Sequence, residues 1–238
     1  MMDKLELLLR KYANNFLLLN DITNNTKIEY LNFKNIITVT DINLIKIPSV
    51  EKVLNYFKNN FNAKILTLSS GEPNYKIIES TSKKIFNEKY DLVIALGGGS
   101  ILDIVKSASM YENSVENVDN FSGSRKQYTQ RLIRTLAIPT TAGTGSEYTH
   151  TSVYKTRLNI KNWLWDELTY FDYVIYVPSL TLDLPVNITV ASGVDAFDHL
   201  IESLMSLKFD SQNLDLCNQG MEAIWHSLPN LLENKKNL

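Results

Sequence analysis

Short apolar runs alternate with amphipathic helical patterns through the first 180 residues, and this rhythm constrains the fold more than any other feature. The run at residues 92–96 is apolar throughout, as in a strand that is buried on both faces of a parallel sheet. Further strands are predicted at residues 36–39, 64–68, 132–138 and 173–177. Parallel strands joined by helices predict a doubly wound, Rossmann-like α/β sheet.

Two connecting helices are indicated by the spacing of their apolar residues. The first follows the strand at residues 36–39 and carries one apolar face, formed by Val50, Val53, Leu54, Phe57 and Phe61. The second follows the turn at residues 71–74, and its predicted inward side chains are Ile77, Ile78 and Phe86.

Beyond Leu184 the pattern changes to helices alone, which are predicted at residues 190–205 and 214–232. We therefore place a domain boundary near residue 184, with an α/β domain at residues 1–184 and all-α helices at residues 185–238. A segment of about 55 residues is close to the size at which a single core is marginal, so it is interpreted as the start of a larger domain.

The composition favours a small-molecule ligand. The 238 residues include 24 basic and 26 acidic side chains, and this balance gives no electrostatic reason to expect a nucleic acid or membrane partner. A single cysteine, Cys217, excludes an internal disulfide framework. The first residues are too charged for a secretory leader, and no apolar run reaches the length of a membrane span, so a cytoplasmic protein is expected.

Three glycines, Gly97, Gly98 and Gly99, join the apolar run at residues 92–96 to a helical pattern. They let the backbone approach a ligand closely, and the free N–H groups of the helix start favour a pyrophosphate. A plain tight turn is the alternative. Asp103 follows on the same helix, where it could equally be an acid in the first turn that is stabilised by the helix dipole.

A second loop, at residues 138–147, carries four hydroxyl side chains and two glycines after another predicted strand. Hydroxyls and backbone amides together suit phosphate, ribose or carboxamide groups. The alternative is a serine/threonine turn that leads into a capped helix, with Ser146 and Glu147 in its first turn.

In a third stretch, at residues 192–202, Asp195 and His199 lie four positions apart and therefore project from one helical face. A carboxylate and an imidazole at this spacing form half of a divalent metal site. Alternatively, Ser192 and Asp195 form a capping box, and His199 pairs with Asp195 or Glu202 on the surface.

Taken together and in this order, the segments GGGSILDIVK, PTTAGTGSE and SGVDAFDHLIES closely resemble three signature stretches of the iron-containing (group III) alcohol dehydrogenase family. The resemblance runs from about Asn35 to Leu232. It implies a dinucleotide-binding α/β domain followed by an all-helical domain, the architecture shared with dehydroquinate synthase. It also implies that the active site lies in the cleft between the two domains.

The resemblance also implies a role for each matching residue in binding NAD. Asp41 would lie beside the adenosine ribose, where a carboxylate favours a free 2′-hydroxyl and so NAD over NADP. Asn74 and Lys161 align with further cofactor contacts. Asp103 is also expected to be a cofactor-binding residue. The pyrophosphate would be held by Gly97, Gly98, Gly99 and Ser100, and the nicotinamide ribose side would be lined by Thr140, Thr141 and Thr144.

For the metal, Fe²⁺ or Zn²⁺, the resemblance implies that Asp195 and His199 are the first two ligands and therefore catalytic. The family completes this site with two further histidines downstream, and the sequence ends at Leu238 before that stretch. A truncated gene product, a fragment and a piece that depends on a second polypeptide are the alternatives. Of the other histidines, His226 is expected to be a packing residue and His150 a loop residue bonded to backbone.

The resulting hypothesis is an oxidoreductase that transfers a hydride between NAD and a small alcohol or aldehyde at a divalent metal. Its alternatives are an inactive nucleotide-binding module and a polyol dehydrogenase or 3-dehydroquinate synthase-like enzyme of the same fold. No nucleic acid or membrane partner is expected, and a homodimer is one option for the assembly. The tryptophans are expected to be core or interface anchors: Trp163, Trp165 and Trp225.

Overall fold

The computed structural model describes residues 16–19, 22, 33–110 and 133–233. Within these residues the strands are β1 (Phe16–Leu18), β2 (Ile36–Asp41), β3 (Lys64–Leu68), β4 (Leu92–Gly97), β5 (Arg134–Pro139), β6 (Thr151–Lys155), β7 (Lys161–Trp165) and β8 (Tyr173–Tyr176). The helices are α1 (Pro48–Phe61), α2 (Tyr75–Asn87), α3 (Gly99–Ala108), α4 (Val186–Met205) and α5 (Leu214–Glu233). The predicted strand at residues 132–138 is observed as β5, and its first predicted residue, Leu132, lies outside the described residues.

Six of the strands form one parallel sheet in the order β1-β8-β5-β4-β2-β3. The chain leaves β2 toward β3 at one side and returns to β4 at the other, so the strand order reverses between β2 and β4. In open α/β sheets, such a reversal creates a crevice outside the carboxyl ends of the strands, where ligands bind. The predicted α/β fold class is confirmed, and all-helical structure follows the sheet.

The described residues group into two compact units. The α/β unit comprises Met1–Thr140 and Ser146–Ser179, and the helical unit comprises Thr141–Gly145 and Leu180–Leu238. The core of the α/β unit is formed by side chains of the sheet and of the helices that pack on it. Strand β4 is buried along its whole length. On α1 the predicted inward side chains Val50, Val53, Leu54 and Phe57 are buried.

A two-stranded antiparallel hairpin, formed by β6 and β7, was not predicted. Its inward positions on β6 are Ser152 and Tyr154, both of which are buried. The Ser152 hydroxyl is satisfied by Ser107, at 2.7 Å, and by the carbonyl of Asp103, at 2.8 Å. Because a polar residue occupies an inward position, the apolar alternation that marks a strand is missing.

Two alternative predictions, a capping box at Ser192 and a first-turn position for Asp103, are wrong. Helix α4 begins at Val186, so Ser192 lies well inside the helix, and its hydroxyl donates to the carbonyl of Ile188 at 2.8 Å. Ser192 therefore does not form a capping box. Asp103 is the fifth residue of α3, beyond the first turn, where the helix dipole would act on it directly.

Three aromatic residues are more exposed than expected. Trp163 and Trp225 have 52% and 70% of their surface exposed, and His226 is also exposed. A core role for these two tryptophans is therefore wrong, while an interface role for them and a packing role for His226 stay predictions. In the described part of the chain, no helix has the length and apolar character needed to span a membrane.

Candidate cofactor-binding site

The carboxyl ends of β2, β4 and β5 meet at one edge of the sheet. Because the strands are parallel and adjacent, Asp41 at the end of β2, Gly97 at the end of β4 and Thr140 just after β5 lie along this edge. Gly97 pairs with Pro139 in the register of β4 and β5. The edge is the expected place for a ligand in a fold of this type.

The glycine turn at residues 97–99 starts helix α3. Gly98 is the N-cap residue, and its carbonyl accepts hydrogen bonds from the amides of Ile101 and Leu102 at 2.9 and 3.2 Å. The amides of Gly99 and Ser100 precede these and have no acceptor within the helix, as at every helix start. They suit an anion such as a pyrophosphate.

Gly97 must be glycine because of its packing. A Cβ atom at this position would lie 2.7 Å from Cγ1 and 2.8 Å from Cβ of Ile101. None of the three glycines has a positive φ, so an unusual backbone conformation is not the reason for the motif. The glycine allows α3 to start directly against the end of β4.

The hydroxyl group of Thr140 is buried at this edge. The backbone amide of Thr140 donates to the carbonyl of Gly97 at 3.1 Å, which ties the second loop to the glycine turn. The residue is 1% exposed, and its Oγ1 has no hydrogen-bond partner among the described residues. A buried hydroxyl without a partner is unfavourable, so this atom fits a bound polar ligand. Three other buried threonine hydroxyls also lack a hydrogen-bond partner among the described residues, at Thr38, Thr40 and Thr81. None of these three residues follows the end of a strand.

Asp41 is held by its neighbours. The hydroxyl of Ser70 lies 2.7 and 2.6 Å from its two carboxylate oxygens, and the amide of Asn43 donates to Oδ1 at 2.7 Å. Neither Ser70 nor Asn43 was singled out from the sequence. The sequence signal that could have indicated them is their position, because Ser70 follows β3 and Asn43 follows β2, and these two strands are adjacent.

Asn74 and Lys161 already have structural partners. The Asn74 side chain caps α2 by accepting from the amides of Lys76 and Ile77 at 3.1 and 3.2 Å. The carboxylate of Glu72 forms ion pairs with two lysines: Oε2 lies 2.5 Å from Nζ of Lys155, and Oε1 lies 3.9 Å from Nζ of Lys161. The hydrogen bond from Lys155 keeps the pKa of the Glu72 carboxyl below its usual value.

Both carboxylate oxygens of Asp103 are engaged by protein donors. Ser146 donates to Oδ1 at 2.6 Å, and the amide of Val153 donates to Oδ2 at 3.0 Å. Burial raises the pKa of Asp103, and the charge of Lys106 opposes this shift. Asp103 therefore fastens α3 to the segment that follows the second loop.

Lys106 was also missed by sequence reasoning. It is 1% exposed, and its ammonium donates to the carbonyls of Thr149 and Thr151 at 2.9 and 2.8 Å and to the Thr149 hydroxyl at 3.0 Å. Lys106 and Asp103 lie three positions apart on α3. Together they form a polar connection, the α3 seam, between this helix and residues 146–153.

The central part of the second loop belongs to the helical unit. There Gly143 packs against the backbone of α4, because a Cβ atom would lie 2.8 Å from the carbonyl oxygen and 2.9 Å from Cα of Ser192. Gly145 has a φ of +60°, a left-handed conformation that favours glycine. Thr141 is half-buried and Thr144 is exposed.

Asp195 and His199 lie on one face of α4, as their spacing predicts. Asp195 is partly buried and His199 is exposed. Among the residues that the structure describes, no cluster of three histidine, cysteine, aspartate or glutamate side chains could hold a metal ion. Asp195 and His199 are thus two potential ligands, fewer than the three of a catalytic zinc site.

His150 lies just before β6 in the α/β unit. Its ring packs against Tyr170 and Trp165, with ring centroids 3.9 and 5.3 Å away. Its backbone carbonyl accepts from the amide of Asp166 and from the hydroxyl of Thr169. Nδ1 of the ring is buried and has no hydrogen-bond partner among the described residues, so the predicted bond from the His150 side chain to backbone is not found at this atom, and the ring packs against aromatic neighbours instead.

Comparison with known proteins is consistent with these observations. A family model described as iron-containing alcohol dehydrogenase matches residues 20–178. The chain is 31% identical over 212 residues to long-chain-alcohol dehydrogenase 1 of Geobacillus thermodenitrificans, covering 87% of this chain and 53% of the relative. It is 32% identical over 202 residues to sulfoacetaldehyde reductase of Bilophila wadsworthia, covering 84% and 52%. The chain thus spans about half the length of the curated relatives that it matches.

The fold is also shared with a solved structure. The crystal structure of sulfoacetaldehyde reductase from Bifidobacterium kashiwanohense in complex with NAD⁺ superposes with a TM-score of 0.83 at 23% identity. The match covers 94% of this chain and 60% of the other. At this level of identity the comparison shows the fold alone.

Proposed function

Because the chain belongs to the iron-containing alcohol dehydrogenase family, we propose that it forms the dinucleotide-binding part of an oxidoreductase that interconverts alcohols and carbonyl compounds. One observation carries the proposal: Asp41, the glycine turn and the buried Thr140 hydroxyl lie along one edge of the sheet. The names of the two curated relatives, an alcohol dehydrogenase and an aldehyde reductase, support the reaction class.

The proposed cofactor is NAD. The free amides at the start of α3 and the close packing at Gly97 suit a pyrophosphate bound by residues 97–100. The Asp41 carboxylate would accept a hydrogen bond from a ribose hydroxyl and repel the 2′-phosphate of NADP. The Thr140 hydroxyl would gain the partner that it lacks among the described residues.

The remaining proposed cofactor residues have a different basis. Thr141 and Thr144 are proposed for the nicotinamide ribose from the family motif. Asn74 and Lys161 keep their proposed roles at the adenosine end, although Asn74 also caps α2. Asp103 is proposed to act indirectly, because both its oxygens are taken up by Ser146 and Val153.

The proposed metal is Fe²⁺ or Zn²⁺, with Asp195 and His199 as two of its ligands. When bound, the metal would polarise the substrate oxygen while a hydride passes to or from the nicotinamide. The proposal requires at least one further ligand from outside the described residues, since these contain no cluster of three. In this chain, the part of Asp195 and His199 is to bind and orient the ion.

A second candidate function is a nucleotide-binding module without metal-dependent turnover. It is favoured by the same observation, that Asp195 and His199 stand without a third potential ligand in the described part of the chain. This candidate predicts NAD⁺ binding and no hydride transfer.

Thermal unfolding with NAD⁺ and with added Fe²⁺ or Zn²⁺ tests both candidates. Saturating NAD⁺ at about 100 times its Kd is expected to raise the free energy of unfolding by about 2.7 kcal/mol. Oxidation of NADH with a small aldehyde in the presence of the metal supports the enzyme, and binding without turnover supports the module. Absence of any thermal shift with millimolar NAD⁺ contradicts both.

A further inference from the structure

Ser70 occupies an unusual position at the proposed adenosine end of the site. Its hydroxyl lies within hydrogen-bond distance of both carboxylate oxygens of Asp41, at 2.7 and 2.6 Å. The same hydroxyl accepts a hydrogen bond from Nδ2 of Asn43 at 2.5 Å. Since a serine hydroxyl has a single hydrogen, the bond from Asn43 directs that hydrogen toward Asp41.

This arrangement fixes the direction of the Asp41 carboxylate. Oδ1 accepts from the amide of Asn43 at 2.7 Å as well as sharing the Ser70 hydroxyl. Ser70 is the donor to Oδ2 among the described residues, so Oδ2 keeps lone pairs for a ligand hydroxyl. Without these bonds a partly exposed aspartate would sample several rotamers.

The charged residues near Ser70 explain why the direction of the Asp41 carboxylate would affect the choice of dinucleotide. Ser70 also lines a cavity of about 560 Å³, whose wall carries the basic side chains of Lys76, Lys155 and Arg157. Glu72, the acidic residue in the same wall, is bonded to Lys155 at 2.5 Å. A wall with three cations and one anion favours a phosphate group, and the Asp41 carboxylate, bonded to Ser70 of that wall, is a negative charge that opposes it.

We propose that Ser70, supported by Asn43, is a positioning residue that holds the Asp41 carboxylate toward a free 2′-hydroxyl and thereby sets the preference for NAD over NADP. This inference rests on the proposed function, because it requires the adenosine ribose at the end of β2. It adds a specificity determinant that lies 29 residues from the acid it positions.

Binding of NAD⁺ and NADP⁺ to the full chain, measured by isothermal titration calorimetry, tests the inference. Ser70→Ala removes a hydrogen bond to a charged group and is expected to reduce the ratio of the Kd for NADP⁺ to the Kd for NAD⁺ about tenfold. Asn43→Ala should change the ratio in the same direction by less, because its backbone amide still reaches Asp41. Ser70→Thr keeps the hydroxyl and should preserve the ratio.

Ser69→Ala provides the matched control. Ser69 is the neighbouring exposed serine, it lines the same cavity, and no hydrogen bond of its side chain is found in the described residues. It should leave the ratio unchanged, and thermal unfolding of all variants should stay close to that of the parent. If the parent binds NAD⁺ and Ser70→Ala leaves the ratio unchanged, the inference is wrong while the proposed function stands. If the parent binds neither dinucleotide, the proposed function and this inference both fail.

Discussion

Lys106 shows how a single residue can hold together the surroundings of a candidate site. It buries a charge almost completely, and burial of an ammonium ion is tolerated only when its hydrogen bonds are satisfied. Three oxygen atoms of Thr149 and Thr151 supply these bonds, and Asp103 supplies an opposite charge nearby. The α3 seam therefore depends on both ionisable groups being present.

Lys106→Met is expected to lower the free energy of unfolding by about 3 kcal/mol, because three oxygen atoms lose the bond that the ammonium donates and Asp103 loses the stronger of the two cationic charges that act on it. Urea denaturation measures the change. Lys83→Met is the matched control, since Lys83 is exposed on α2 and, among the described residues, forms an ion pair with Glu79 in an i,i+4 arrangement, and it should change stability little. Equal effects of the two substitutions would contradict the structural role of the α3 seam.

The same variant has a predictable pH dependence. Because burial raises the pKa of Asp103 in the folded protein, its protonated form stabilises the fold. That contribution is complete below the ordinary aspartate pKa and is lost as the pH rises through the raised value. In Lys106→Met the pKa should rise further, so the loss extends to higher pH; Asp103→Asn should abolish it. Identical pH profiles for the parent and both variants would contradict this assignment.

At the level of elements, contacts of glycines decide how loops and helices approach one another. In the helical unit Gly143 faces backbone atoms of Ser192, whereas Gly193 faces the terminal methyl groups of Leu228 at 2.8 and 2.9 Å. A backbone contact cannot move without displacing the helix, but a leucine side chain can change its rotamer. A Cβ atom would therefore be harder to accommodate at Gly143 than at Gly193, although the distances to the contacting atoms are similar.

Gly143→Ala is therefore expected to destabilise the protein by about 1–3 kcal/mol, by forcing the loop at residues 141–145 away from α4. Gly193→Ala should be close to neutral, because the clash with Leu228 can relax and alanine favours a helix by about 1 kcal/mol over glycine. Thermal unfolding of the two variants measures the difference. An equal loss of stability in both would show that the nature of the contacting atom does not matter here.

Asn74 offers a test that separates a helix cap from a cofactor contact. Asn74→Ala removes the acceptor for the amides of Lys76 and Ile77 and should cost about 1 kcal/mol in the free energy of unfolding. Asn74→Asp can still cap α2 and should preserve stability. If Asn74 also contacts NAD⁺, the added charge should weaken NAD⁺ binding in Asn74→Asp without destabilising the protein. Unchanged binding would limit Asn74 to the cap.

On the scale of the whole molecule, the features that were predicted from sequence are those with a local pattern. The strands β2, β4 and β8 were predicted because strands buried in a parallel sheet form short apolar runs. The glycine turn was predicted because it starts a helix directly after such a strand. The bonds from Ser70 to Asp41 and from Lys106 to Thr149 join residues 29 and 43 positions apart. Such pairs leave no periodic signal, so only the folded chain shows them.

The two units also differ in how their backbone is protected from solvent, and hydrogen exchange should detect this. All six residues of β4 are buried, and most of α3 is buried too. Along α4 no residue is fully buried, along α5 only Cys217 is, and large apolar side chains such as Met205 and Trp225 are 77% and 70% exposed. Local opening is easier where few apolar side chains are buried.

Amides of α4 and α5 are therefore expected to exchange on the order of 100-fold faster than those of β4 in mass-spectrometric measurements on the full chain. Helix α3 is the internal control, because it is a helix within the buried unit and should exchange as slowly as β4. If α3 and α4 exchanged at the same rate, helical structure rather than burial would govern protection. If α4 and α5 were as protected as β4, the exposure of their apolar faces would not describe the protein in solution.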